Sequence, residues 1–201
     1  MTGEIKLKAM KKASTGETSV PAPITEIPNP APKSKEDIDV YRHNVEQMFK
    51  RRSKSLISNR DTSHAKILIE TLIGTATRTL DIFCQNLCSR VYGSLDMAAR
   101  IASAVDRGCS IRILVQEPSQ TPDLERQIEV LRSGGGTIEF RQVSPNSLAA
   151  AAQFNFVVSD GSAFRFETDR ENHIATACAN GGELAQRIEK RFEMFWTTSA
   201  Q

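Results

Sequence analysis

Histidine and aromatic rings are scarce in this sequence. Its 201 residues hold three histidines, His43, His64 and His173, and aromatic side chains make up 6% of the chain. So few imidazoles leave little material for acid–base chemistry near neutral pH, and each can be weighed individually. Cysteine is also sparse and poorly spaced. Cys84 and Cys88 stand four apart near a strand end, and Cys109 and Cys178 are isolated. No histidine lies at finger spacing, so zinc is not expected and the thiols read as small core residues. No apolar run approaches the roughly 18 residues that a membrane span requires, and no apolar signal region follows Met1. A soluble, cytoplasmic protein with reduced thiols is expected, without metal or cofactor.

Large apolar side chains are few before residue 36. "VPAPITEIPNPAPKSK" places five prolines between Pro21 and Pro32, a composition that cannot bury enough surface to offset its conformational entropy. Residues 1–35 are therefore expected to form a disordered basic tail, 36–57 a first helix, and 58–201 the folded domain. Charge follows the same division. The chain is +2 overall, with its positive excess before residue 61 and a mildly acidic remainder. The densest basic cluster is "KRRSK", with Lys50, Arg51, Arg52 and Lys54. Such a run is most often a solvated helix end, but it could also follow phosphates.

What is present is a regular rhythm of strands and helices. "EDIDVYRHNVEQMFKRRSKSLI" has one apolar helical face, and a second helix starts near "SNRDTSHAKILIETLIGTA", with Ser58, Asn59, Asp61 or Thr62 as its cap. "TLDIFCQ", "SIRILVQ" and "TIEFRQV" read as strands joined by helices, which predicts parallel pairing through crossovers. The second crossover helix is expected to start on Thr121 as its cap, with Pro122 in the first turn. Gly134 to Gly136 follow a helix instead of preceding one, so they act as a stop and not as a phosphate loop. Beyond Val143 come three short strands, "FNFVVSD", "AFRFET" and "HIATACA", and then a closing helix from about Gly182 to Thr197. The expected class is α/β, a mixed sheet sandwiched by helices.

From Leu56 to Trp196 this order of elements resembles one half of the phospholipase D-like fold. In that family the strand after the third βα unit carries HxKxxxxD, and "QFNFVVSD" occupies the matching place. The resemblance puts Gln153 at the histidine position, Asn155 at the lysine position and Asp160 at the aspartate. In active members one histidine attacks phosphorus, a second protonates the leaving oxygen and lysine neutralises phosphate charge. A single-motif chain works there as a homodimer. Gln153 can serve as neither nucleophile nor acid or base, and losing a nucleophile costs on the order of a millionfold in rate. Where the family places small phosphate-contacting residues, this sequence holds Glu167, Thr168 and Glu171. The resemblance thus implies a degenerate motif and a pseudoenzyme.

Three readings of function stay open. The first is a catalytically inactive binding or interaction module, with nucleic acid as the favoured partner and a plasmid, phage or defence system as its setting by analogy. Asn59 and Arg60, beside the start of the second helix, and Lys50, Arg51, Arg52 and Lys54 are its candidate contacts. The second is a phosphodiesterase or nuclease with a site relocated to His64 or His173. For these the plainer expectations are a capping, partly buried imidazole at His64, a surface strand end at His173 and an exposed His43. The third is an adaptor that docks on a protein partner through its tail.

Overall fold

The computed structural model describes residues 34–199. The tail expected over residues 1–35 therefore lies almost wholly outside the described residues.

Helix α1 (Lys35–Lys50) starts with a capping box in which Ser34 Oγ accepts from Asp37 N while the Asp37 carboxylate accepts from Ser34 N. It ends earlier than the sequence suggests. Arg51 caps it, Arg52 turns the chain at φ +49°, and Leu56–Asn59 forms strand β1 instead of continuing the helix or capping the next. The reason is tertiary. Four residues are too short to display an alternating pattern, and β1 is defined by its antiparallel partner β7 (Ile174–Cys178). Asp61 alone caps α2 (Thr62–Thr75), accepting from His64 N at 2.9 Å.

The expected alternation then follows: β2 (Thr79–Cys84), a one-turn α3 (Ser89–Tyr92), α4 (Leu95–Asp106), β3 (Ser110–Val115), α5 (Pro122–Ser133) and β4 (Ile138–Gln142). Strands β2, β3 and β4 are parallel, in that order. Thr121 sits at the start of α5, but its hydroxyl donates to Leu87 O instead of capping the helix.

The remaining strands, β5 (Asn155–Ser159) and β6 (Ala163–Asp169) with β7, add antiparallel on the other side of β2. The result is a seven-stranded mixed sheet of order β1-β7-β6-β5-β2-β3-β4. Strands β5 and β6 are joined by a tight turn through Asp160 and Gly161. Both have positive φ, 53° and 62°, as hairpin turns of the primed type require. The main core lies between the sheet and α1, α2, α4 and α5, and its largest contributors include Leu68, Leu72, Ile82 and Met97. A second core lies under α6 (Glu183–Thr197) and is dominated by aromatic rings, with Phe83, Phe156, Phe164 and Phe192 fully buried. The cysteines fit their expected packing role: Cys84, Cys109 and Cys178 are buried free thiols, and Cys88 is half-buried.

Candidate functional site

Alternation along β6 sends Phe164 and Phe166 toward α6, and Ala163, Arg165 and Glu167 toward the α2 side. Both faces of this strand are covered, so Arg165 and Glu167 are almost fully buried, with side chains 3% and 4% exposed. Strand register lines up a row across four strands. Asn59 on β1 faces Ala175 on β7, Ala175 faces Glu167 on β6, and Glu167 faces Asn155 on β5. The next row places Ala177 opposite Arg165. The two alanines leave room above β7 for the long charged side chains of β6.

Glu167 is the centre of this cluster. Its carboxylate accepts from Arg165 Nη2 at 2.7 Å, from His173 Nδ1 at 3.1 Å and from the Asn155 side-chain amide. The Asn155 amide has a defined orientation because its Oδ1 accepts from Gln85 N at 2.8 Å, which leaves its NH₂ for Glu167. Arg165 Nε donates to Asn59 Oδ1 at 3.2 Å, and the Asn59 amide donates in turn to the His173 carbonyl. Burial alone would raise the Glu167 carboxyl, but His173, Arg165 and Asn155 outweigh it and hold the group below the usual carboxylate range.

His173 lies in the turn before β7 at φ +54°, and its imidazole is mostly buried, not on the surface as the sequence suggests. With Nδ1 donating to an ionised carboxylate, the neutral ring carries its lone pair on Nε2. That Nε2 is buried and has no hydrogen-bond partner among the described residues. His173 also lines a cavity of about 30 Å³ together with Cys84, Tyr92, Asn155 and Glu167. This space holds about one water and is far too small for a phosphodiester. Burial pushes the Cys84 thiol up, so that wall of the cavity is uncharged.

Other expected site residues lie elsewhere. Gln153 is exposed just before β5. Asp160 sits at the opposite end of β5 from Asn155, about 16 Å away for five residues of strand. Its carboxylate accepts from Thr77 N and Oγ1, Arg78 N and Thr79 N, closing the turn between α2 and β2. Burial would raise this carboxyl, but those donors outweigh it and hold it low. His64 is buried, stacked on Tyr41 with ring centroids 3.5 Å apart, while its Nδ1 lies 3.5 Å from Asp61. Asn59 is 1% exposed and committed to Arg165 and His173, so it presents nothing to solvent. Arg60, Lys50, Arg51, Arg52, Lys54 and His43 are exposed.

The sequence reading missed Arg165, Arg170 and Gln116. The last two clamp the loop before β5. Arg170 Nη2 donates to Gln116 Oε1 and to the carbonyls of Ala152 and Phe154, while Gln116 Nε2 donates to those of Ala149 and Ala152. Among the described residues no group of three His, Cys, Asp or Glu side chains could hold a metal ion, and no helix is long and apolar enough to cross a membrane.

A mixed sheet in which parallel βα units meet an antiparallel set closed by a helix is the phospholipase D-like arrangement, and solved structures share it. Nuc from Salmonella typhimurium, a phospholipase D family member, is 15% identical with a TM-score of 0.55, covering 73% of this chain and 96% of its own. NucT from Helicobacter pylori is 10% identical with a TM-score of 0.53, over 73% of this chain and 99% of its own. TrmBL2, described as an archaeal chromatin protein with a novel mode of DNA binding, is 13% identical with a TM-score of 0.55, over 82% of this chain and 64% of its own. At these identities the likeness establishes the fold. Residues 61–201 match the family described as Domain of unknown function (DUF7931), and the chain belongs to that family. No curated protein matches the sequence at a significant level.

Proposed function

We propose that the protein is a non-catalytic phospholipase D-like module whose work is binding. The observation that carries this reading is the Glu167 carboxylate, which takes three donors inside the sheet, one of them Asn155 at the position of the family's lysine. The chain's own anion stands where an anionic substrate would need these donors. Gln153, at the histidine position, is exposed and offers no nucleophile. A second anion brought beside Glu167 would meet a like charge in a poorly screened interior.

Nucleic acid is the favoured partner. The exposed Lys50–Lys54 cluster supports this, as does the likeness of fold to a chromatin protein described as binding DNA. A homodimer and a setting in plasmid, phage or defence loci belong to the same proposal by analogy of fold. Fluorescence binding of the full chain to DNA and RNA at two salt concentrations tests it. Salt-sensitive binding without hydrolysis is expected, and an absence of binding to either would remove the nucleic-acid partner.

A second reading has one specific observation in its favour. His173, oriented through Nδ1 by Glu167 with its Nε2 unpartnered, has the arrangement of an oriented base. Hydrolysis of a phosphodiester that disappears in His173→Ala and survives in His64→Ala would establish it in place of the first.

A further inference from the structure

Helix α6 covers β2, β5 and β6 on its face of the sheet. Beyond β6 that face opens, and Leu56 on β1 is 64% exposed. The opening is a groove of about 380 Å³ with Leu56, Phe164, Phe166 and Ile188 in its lining and Arg187 and Arg191 beside them. Helix α6 sorts its charges across this boundary. Glu193 pairs with Arg112 on the β3 side, and the Glu189 carboxylate lies close under the turn at Gly161. Arg187 and Arg191, four residues apart and on one helical face, are turned to the groove, and neither has a carboxylate partner among the described residues. Arg191 lies 5.3 Å from the ring centroid of Phe154, which stacks on Phe166 at 5.1 Å.

The basic segment leads in sequence to the same groove. Leu56 follows Lys54 by two residues, a reach of at most about 7 Å. Cys178, the strand partner of Leu56, places its thiol 3.7 Å from the Ser53 carbonyl. The exposed Lys50, Arg51, Arg52 and Lys54 stand on the segment that leads into Leu56, while Arg187 and Arg191 line the groove from α6. Two arginines on an apolar, partly aromatic floor, with a basic segment leading into one end, fit a polyanion with flat apolar faces. A single nucleic-acid strand presents both, whereas a duplex hides its base faces in the stack.

We propose that this groove carries a single-stranded nucleic acid, its phosphates along Arg187, Arg191 and the Lys50–Lys54 cluster and its bases against Phe166 and Leu56. The inference rests on the nucleic-acid reading above and deepens it. Its rival occupant is an acidic amphipathic peptide.

The test is fluorescence anisotropy with the full chain and labelled single-stranded DNA and RNA of mixed sequence, a duplex of equal length, and polyglutamate as competitor, across a salt series. Arg187→Glu/Arg191→Glu is compared with Arg126→Glu/Arg132→Glu on exposed α5, which changes net charge equally. The groove variant is expected to weaken single-strand binding about tenfold or more and to lower the log–log salt slope by about 1.4, at about 0.7 per phosphate contact. Phe166→Leu keeps apolar volume and is expected to weaken binding with an unchanged slope. No salt-sensitive binding by the parent chain would overturn the nucleic-acid reading and this inference together. Binding by the parent that the groove variant retains, or that both charge variants lose equally, overturns the groove alone. A duplex bound as tightly as the single strand, or polyglutamate competing equally per charge, overturns the single-strand assignment.

Discussion

Replacing Glu167 by Gln removes one charge from the cluster while keeping its shape. Arg165, with a side chain 3% exposed, then keeps only neutral partners, Asn59 Oδ1 and the His173 carbonyl. Gln also offers an NH₂ where the Asn155 NH₂ already points, and Asn155 cannot turn without losing its bond from Gln85 N. Breaking a buried pair from one side costs about 3–5 kcal/mol, because the surviving charge is left uncompensated. For a domain of this size that corresponds to a melting temperature lower by about 6–20 °C. Urea unfolding followed through the single tryptophan, Trp196, and by circular dichroism measures the change. The companion Arg165→Met/Glu167→Gln removes the stranded charge as well and is expected to recover at least half of the loss. A loss below about 1 kcal/mol in the single variant, at the level of an exposed ion pair, would refute the reasoning. A double variant no more stable than the single one would also refute it.

Asp160 and Glu167 both have carboxyls held low in the folded chain, so their stabilisation is present above the ordinary carboxylate range near about pH 4 and is lost as pH falls through their lower folded values. Stability measured from pH 7 to 3 should fall, and Asp160→Asn should flatten part of that fall. Asp160→Ala, which loses the turn-closing bonds and places alanine at φ +53°, should cost about 2–3 kcal/mol at pH 7 and more than Asp160→Asn, as denaturant titration would show. Arg170→Ala releases the carbonyls of Ala152 and Phe154, so limited proteolysis should gain cleavage between residues 144 and 154 while the rest of the chain stays protected. Installing the motif residues of active phospholipase D-like proteins by Gln153→His/Asn155→Lys should yield no phosphodiesterase activity, because the new lysine would pair with Glu167.

The architecture was legible because its signals are local. Strands β2, β3 and β4 alternate with helices that have clear apolar faces, and Gly108 and Gly134 stop two of those helices. Strand β1 was not legible, because Leu56–Asn59 exposes its leucine and buries its asparagine, so its residue types do not mark its faces, and it becomes a strand only beside β7. The buried cluster was missed, although part of its signal is local. "AFRFET" places Arg165 and Glu167 two apart, hence on one face of a strand whose other face carries Phe164 and Phe166. His173 was misjudged because its sequence neighbours, Arg170 to Asn172, are turn residues, while the imidazole turns inward to Glu167. Arg170 and Gln116 were invisible because their partners are backbone carbonyls 16 to 36 residues away in the chain and each other, 54 residues apart.

The central proposal is that the protein's own carboxylate fills the place where phospholipase D-like chemistry would take hold of an anion. Incubating the full chain with bis(4-nitrophenyl) phosphate, single-stranded DNA and RNA tests it most directly, with His173→Ala measured in parallel. The account predicts no turnover above background for either protein on any of the three substrates. Turnover by the parent chain that His173→Ala abolishes would contradict it and make His173 and Glu167 the core of an active site.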